Sequence, residues 1–461
     1  MLETLTIPRI VVAALKGGAG KTFLTVGLVA ALRGRGLSCA VFKKGPDYID
    51  AGWLGLAAGT ECYNLDSYLF DNDVAIGSFV KRSSGTSIAV VEGNRGLFDG
   101  VDADGTFSTA ELAKALEAPV ILIMDATKTT RTAAAMVLGC RILDQGVDIK
   151  AVILNRVAGA RHELVLRESI EQATGIPVIG SVGKFSTDDF PQRHLGLLPL
   201  YEHQGADQFV AEAARIVERS VDLDRVIEIA SGADPMSAEA LSSPADALGD
   251  GDKDLGIGVL KDSAFQFYYP ENLEALRRTG ARLLELSALD CSELPEIDCL
   301  YIGGGFPETH AERLADNVLL KRSLSRAVEK GLPVYAECGG LMYLSRELQV
   351  DNNIYPMVGI FPVETILERR PQGHGYIRVE VVGPNPFYPT GTTLTGHEFH
   401  YSFVKGMDDP KARFVFRVLR GHGMDGSRDG ICAGSALGTY VHVHALGTSI
   451  WAEGMLERAR E

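Results

Sequence analysis

The sequence predicts two α/β domains in series, the first built on a parallel sheet, and three observations carry this. Between residues 10 and 199, apolar runs such as IVVAAL, SCAVFK, SIAVVEG, APVILIMDA and IKAVILNRV alternate with amphipathic stretches. Short continuous apolar strands separated by helices are the pattern of a parallel sheet covered on both faces. Over 231–253, SGADPMSAEALSSPADALGDGDK, the rhythm gives way to Ser, Ala, Asp, Gly and Pro, the composition of a linker. It restarts at Leu255 with LGIGVL, ARLLEL, CLYIGGG and LPVYAECGG. The expected division is therefore 1–230, a linker at 231–253, and 254–461. A length of 461 residues agrees, since about 150 residues per domain gives two or three domains.

Composition narrows the function classes. Hydrophobic residues make up 46% and charged residues 23%, as in globular proteins. Forty-five Lys and Arg against 60 Asp and Glu leave a net charge of −15, which argues against a nonspecific nucleic-acid binder and leaves only local basic pockets. No apolar run approaches the roughly 18 residues of a membrane span. The N-terminal MLETLTIPRIVVAAL runs into a glycine loop instead of a cleavage site, so a cytoplasmic protein without a membrane partner is expected. The seven cysteines are scattered and form no CxxC pair, which speaks against both a disulfide framework and a zinc site.

The first strand ends in Lys16-Gly17-Gly18-Ala19-Gly20-Lys21-Thr22, followed by an amphipathic helix. The small residues Gly17, Gly18 and Gly20 let backbone N–H groups turn toward phosphate oxygens, Lys21 neutralises phosphate charge, and the Thr22 hydroxyl is a Mg²⁺ ligand. Leu15 stands where the strict Walker pattern has glycine, so this is the variant loop of the dethiobiotin synthetase, MinD and nitrogenase iron-protein group, which the segment resembles. Lys16 has two readings, a lysine that reaches across a dimer to the partner's nucleotide or a solvated loop lysine. Carboxylates just past strand ends lie at the carboxyl edge of such a sheet, making Asp47 and Glu92 candidates for Mg²⁺. Asn155, ending the run AVILN, is a candidate to read an adenine edge.

In the second half, Val334-Tyr335-Ala336-Glu337-Cys338-Gly339-Gly340 reads as a strand, a cysteine between small residues, and a helix start. A sharp strand-to-helix turn exposes the thiol, and a helix dipole favours its thiolate. Gly303, Gly304 and Gly305 end an earlier strand and are candidates for an oxyanion hole. His442, in GTYVHVH, is the candidate base for Cys338.

Taken in order, the GKT loop, KKGPDYID, EGNRGLFDG, ILNRV, FYYPENLEAL, YIGGGFPE, AECGGLMYL, GHEFHYS and GTYVHVH resemble the cobyrinic acid a,c-diamide synthase family of tetrapyrrole side-chain amidases over nearly the whole chain. The resemblance implies an N-terminal P-loop parallel-sheet domain of dethiobiotin-synthetase type and a C-terminal class I glutamine amidotransferase-like α/β domain. It implies ATP and Mg²⁺, with L-glutamine as nitrogen donor and a tetrapyrrole polycarboxylate as acceptor, amidated at its a and c acetate groups through acyl phosphates. It makes Cys338 the glutaminase nucleophile and His442 its activator. It sets Lys21 and Thr22 at the phosphates, with Asp47, Tyr48, Asp50, Glu92 and Asp99 around metal, nucleotide and reacting carboxylate. A homodimer and a protected path for ammonia between the domains are further expectations.

Some features depart from the pattern. Many class I amidotransferases carry a glutamate two residues after the histidine, where this chain has His444, so a Cys/His dyad or a third partner from elsewhere is expected. Asn94-Arg95 stands where the family more often has Val-Met. Lys43, Lys44, Arg95 and Arg193 are candidates to meet the carboxylates of the substrate. Sirohaem and nickel sirohydrochlorin are alternative acceptors needing the same catalytic groups. A MinD- or ParA-like ATPase switch is the alternative from another class, and it leaves Cys338 and the second domain without a purpose.

Overall fold

The computed structural model describes residues 4–184, 192–193, 196–197, 199–203, 205–237 and 255–461. The chain forms two compact units, Met1–Ser243 and Pro244–Glu461.

The first unit is a parallel sheet of seven strands: β1 (Arg9–Ala14), β2 (Cys39–Lys44), β3 (Cys62–Leu65), β4 (Ile88–Glu92), β5 (Val120–Asp125), β6 (Ile149–Val157) and β7 (Val178–Gly183). Their order is β3-β2-β4-β1-β5-β6-β7. Both faces are covered, which is why the strand interiors are near-continuously apolar rather than alternating. On β1, Ile10, Val12 and Ala14 pack with Leu24, Trp53, Phe209 and Val226. These belong to α1 (Lys21–Gly34), α2 (Ile49–Ala58), α7 (Ala206–Ser220) and α8 (Leu223–Ser231). Val11 and Ala13 face the other way, toward Phe79, Leu112, Val137 and Leu166. Those sit on α3 (Asn72–Ser83), α4 (Thr109–Ala115), α5 (Thr132–Leu143) and α6 (Ala160–Thr174).

The start of the segment read as a linker is built into this unit. Helix α8 ends at Ser231, and Met236–Ser237 pairs antiparallel with Thr4–Leu5. Residues 238–253 of that segment lie outside the described residues. The tie is reinforced by Arg9, a fully buried residue whose guanidinium donates to the carbonyls of Leu116 at 2.7 Å, Ile7 at 3.1 Å, Glu117 at 3.0 Å and Asp234 at 2.8 Å. Hydrogen bonds from a charged donor are stronger than neutral ones, and buried acceptors left without a donor are costly. Arg9→Met is therefore expected to destabilise the protein by about 3 kcal/mol. Urea unfolding checks this as a lower midpoint at unchanged slope.

The second unit has a ten-stranded mixed sheet. Its parallel half contains β8 (Gly256–Leu260), β9 (Arg282–Leu286), β10 (Cys299–Ile302), β11 (Val334–Glu337) and, later in the chain, Ala436–Thr439. The other half is antiparallel, built from β12 (Gly373–Val381), β13 (Thr393–His400), β14 (Arg413–Arg420), β15 (Arg428–Ala433) and the short strand His442–Val443. The sequence reading expects a second α/β unit without separating this antiparallel half. Among the described residues no helix is long and apolar enough to cross a membrane.

Candidate active site

In the first unit, the loop between β1 and α1 is shaped by glycine. Gly18 and Gly20 hold φ of 71° and 86°, the left-handed region that L side chains rarely adopt. Gly17 and Gly18 are exposed, and a Cβ on either would meet nothing within 4 Å, so the outer face of the loop is open. Asn155 braces this loop. Its amide nitrogen donates to the Ala19 carbonyl at 2.8 Å and its oxygen accepts from the Arg156 N–H at 2.9 Å, which leaves one amide N–H and one oxygen lone pair for a further partner. Lys16 is exposed and lies 3.7 Å from Asp125, which also accepts from Arg156 at 3.0 Å.

Beneath the loop the carboxylates gather around one lysine. Lys43 Nζ donates to Glu92 at 2.6 Å, to Asp50 at 2.8 Å and to the Gly93 carbonyl at 3.3 Å. The Thr22 hydroxyl donates to the same Glu92 oxygen at 3.1 Å, and Asp47 accepts from the Asp50 N–H at 2.9 Å. Lys43 is thus buried inside the cluster and not aimed at a substrate carboxylate; Lys44 is buried as well, and Arg95 alone of these is exposed. Of Arg193 only the backbone is described. Three acids at one sheet edge need an internal counter-charge, and a lysine near the end of an otherwise apolar strand was the signal for it.

The electrostatics follow from that arrangement. Burial disfavours the Lys43 ammonium, but Asp50 and Glu92 outweigh it and hold its pKa above the ordinary lysine value. Burial raises Asp50 too, yet the Lys43 charge and hydrogen bond bring it below the usual range. Burial and then the Asp50 charge push Asp47 up to about 7. Burial likewise raises Glu92, with Lys43 opposing, and the second oxygen of Glu92 is buried with no hydrogen-bond partner. Lys21 is lowered by burial and then by Lys43; its ammonium donates to the Arg95 carbonyl at 2.6 Å, and Asp99 lies close enough to act against that lowering. Asp99 itself is exposed and accepts from the Gly96 N–H at 2.8 Å, while Tyr48 is half-buried at the start of α2. Next to the loop lies a cavity of about 660 Å³ whose walls include Leu15, Lys16, Met124, Met136 and Leu143.

A hard cation suits this donor set. Glu92 offers a buried unpartnered carboxylate oxygen, with the Thr22 hydroxyl alongside and Asp47 on the neighbouring loop. Among the described residues no group of three or more His, Cys, Asp and Glu is arranged to hold a metal by protein ligands alone. Mg²⁺ commonly uses one or two carboxylates and completes its shell with water and phosphate.

In the second unit, β11 ends at Glu337 and the chain turns sharply at Cys338, with φ 44° and ψ −95°, into a helix over Gly339–Leu344. Such a backbone is strained for a residue with a Cβ and is the geometry of a nucleophile elbow. The thiol donates to the Phe399 carbonyl at 3.9 Å and its pKa is pushed far up, first by burial, then by the charges of Glu308 and Glu337. The Gly339 N–H works in favour of the thiolate and is outweighed by these contributions.

His442 is delivered by pairing of its short strand with β13, where it stands opposite His397. Its ring is stacked on that of His397 at 4.8 Å and 18°, and its Nδ1 is 3.3 Å from Glu337. A Cβ on Gly304 would stand 2.6 Å from His442 Cε1, and one on Gly339 would stand 3.1 Å from the Gly305 nitrogen, so elbow, histidine and glycine strand end converge. Gly303 departs from expectation. Its N–H donates to the Tyr268 hydroxyl at 2.8 Å, leaving Gly304 and Gly305 as the oxyanion-hole candidates. Gly304→Ala is expected to displace the imidazole and lower glutamine hydrolysis on the order of 10²-fold. Glutamate release, with circular dichroism to verify folding, checks this. A cavity of about 1210 Å³ in this unit borders Asp298, Pro333 and Ser435 at the strands' amino ends, away from the thiol.

A phosphate loop over a parallel sheet, followed by an elbow cysteine beside a buried histidine, defines a nucleotide-binding protein joined to a glutamine amidotransferase. Family models agree: residues 10–197 match the CobQ/CobB/MinD/ParA nucleotide binding domain, and residues 256–449 the CobB/CobQ-like glutamine amidotransferase domain. A cobyrinate a,c-diamide synthase of Magnetococcus marinus is 42% identical over 99% of this chain and 98% of its own length. Relatives of the same name from Archaeoglobus fulgidus, 39% identical over 99% of both chains, and Methanothermobacter thermautotrophicus, 40% identical over 98% of this chain and 100% of its own, are also similar. The chain belongs to the cobyrinate a,c-diamide synthase family. By that membership it is an enzyme, a glutamine-hydrolysing ligase.

Proposed function

We propose that this enzyme amidates the a and c acetate side chains of cobyrinic acid, using ATP to activate each carboxylate and glutamine as the source of ammonia. A carboxylate is a poor acyl donor because its leaving group would be oxide. In the proposed first step a carboxylate oxygen of the substrate attacks the γ-phosphorus of ATP, giving an acyl phosphate and ADP. Gly17, Gly18 and Gly20 cradle the phosphates, and Lys21, released from the Arg95 carbonyl, neutralises charge developing on the transferred group. Mg²⁺, held by Thr22, Glu92 and Asp47, supplies further charge neutralisation when bound. Lys43 holds Glu92 and Asp50 in place and favours their charged forms. Ammonia then adds to the acyl carbon and phosphate leaves.

In the second unit, Cys338 attacks the glutamine side-chain amide, His442 carries the thiol proton to the departing ammonia, and water hydrolyses the glutamyl thioester. Gly304 and Gly305 are the donors toward the tetrahedral oxyanion. Ammonia is mostly protonated in neutral water, so a protected passage between the sites belongs to the proposal. The cavity beside Lys16, with its apolar walls, is the proposed seat of the macrocycle.

One observation carries this reading: the acid cluster under a GKT loop and the elbow cysteine with its histidine both stand intact in a chain similar over its full length to cobyrinate a,c-diamide synthases. Incubation with ATP, glutamine and cobyrinic acid, sirohaem or nickel sirohydrochlorin, followed by high-resolution mass spectrometry, tests it. The expected result is exchange of hydroxyl for amine at two positions of cobyrinic acid. Turnover confined to a sirohydrochlorin derivative would overturn the substrate and keep the chemistry.

A further inference from the structure

We propose that Glu337, the residue immediately before the nucleophile, is the positioning acid of the glutaminase. It takes the place of the carboxylate that many class I amidotransferases carry two residues after their histidine. This rests on the reading of the second unit as a glutaminase.

The position after His442 is closed to that role here. His444 is fully buried, with Nε2 3.6 Å from Glu271 and its ring packed on Tyr269 at 4.4 Å. A carboxylate reaches His442 from a different element instead. Because β11 alternates its side chains and the chain reverses at Cys338, Glu337 and the thiol leave the same strand end in different directions. Glu337 is fully buried; one oxygen is 3.3 Å from His442 Nδ1 and accepts from the Tyr301 hydroxyl at 3.1 Å. Its other oxygen accepts from the Val443 N–H at 3.3 Å. The carboxylate therefore engages both the ring and the backbone that carries it. An imidazole whose Nδ1–H is given to Glu337 keeps its Nε2 lone pair for the thiol, on the side where Gly304 and the elbow lie.

The steps balance without a further reagent. The Cys338 proton passes to His442 Nε2 as the sulfur–carbon bond forms, and the imidazolium is stabilised by the Glu337 carboxylate. The carbon–nitrogen bond then breaks and the same proton leaves on ammonia. The groups facing this pair include His397 on the face of the His442 ring, Tyr301 behind Glu337, and Glu308, Asp429 and Tyr440 near the thiol.

The test uses Glu337→Gln and Glu337→Asp in the full chain. Three quantities are measured: glutamate release, amidation driven by ammonium, and the rate of Cys338 alkylation by iodoacetamide against pH, read by peptide mass spectrometry. Glu337→Gln is expected to lower kcat for glutamine on the order of 10²–10⁴-fold with KM little changed, since it removes the charge that orients and supports the imidazolium. The Glu337 charge also raises the nearby thiol, so its removal is expected to move the alkylation profile to lower pH even as turnover falls, and Glu337→Asp to recover part of the rate. Ammonium-driven amidation is expected to stay within about twofold of wild type, because the ATP chemistry does not use this residue. An unchanged kcat and alkylation profile would overturn the proposal, as would parallel loss of both nitrogen sources, which marks a purely structural acid. If the wild-type chain released no glutamate, the glutaminase reading itself would fall, and the alkylation profile would still decide the role of Glu337.

Discussion

Cys338→Ala is expected to abolish glutamate release and glutamine-driven amidation, a fall on the order of 10⁴-fold or more, while amidation driven by ammonium continues. The asymmetry follows from the division of labour between the units. The thiol is the sole proposed nucleophile toward glutamine, whereas the ATP-dependent step needs only the acid cluster and the loop of the first unit. Relief of the strained φ of 44° at Cys338 is not expected, because alanine also has a Cβ, so the variant should keep the elbow and the fold. Parallel assays with the two nitrogen sources and a thermal melt check the prediction. Loss of the ammonium reaction as well would mean that the second unit does more than supply ammonia.

Glu92→Gln is expected to produce the mirror image. Amidation with either nitrogen source should fall on the order of 10³-fold, with glutamine hydrolysis retained. Glu92 accepts from both Lys43 and Thr22, and its remaining buried oxygen is the one with no protein partner. The amide keeps the size and removes the charge. Lys43 is then left with Asp50 as its near counter-charge, and the proposed Mg²⁺ position loses a buried carboxylate. Titration of the residual activity with Mg²⁺ is expected to show a weakened requirement site, seen as a raised half-saturating concentration. Unchanged Mg²⁺ dependence would remove Glu92 from the metal position.

Much of the fold was legible in local pattern. A strand covered on both faces is apolar along its length, so IVVAA and VILIM announce a parallel sheet, and Gly17-Gly18-Ala19-Gly20-Lys21-Thr22 announces where its loop turns. The elbow at Cys338 was readable from a strand, small neighbours and a helix start. What escaped was whatever depends on distant segments meeting. Lys43 looked like a surface contact for an anionic substrate because the sequence does not say that Asp50 and Glu92 close over it. Asn155 offered an amide with no stated partner until Ala19 came beside it. Gly303 was grouped with its two neighbours because the three are identical in sequence, and only the Tyr268 hydroxyl distinguishes its N–H. The antiparallel strands after residue 373 alternate and turn without the helical punctuation that made the parallel half conspicuous.

The sequence by itself determined the class of chemistry, because a phosphate loop and a nucleophile elbow are each built from contiguous residues whose conformation is set by glycine, strand and helix propensity. Tertiary structure decided the electrostatic partnerships: Lys43 with Asp50 and Glu92, and His442 with Glu337. The reason is physical. Backbone shape is a local property, but a buried charge must find its counter-charge wherever folding brings one, and in this chain those partners lie from seven to 105 residues apart.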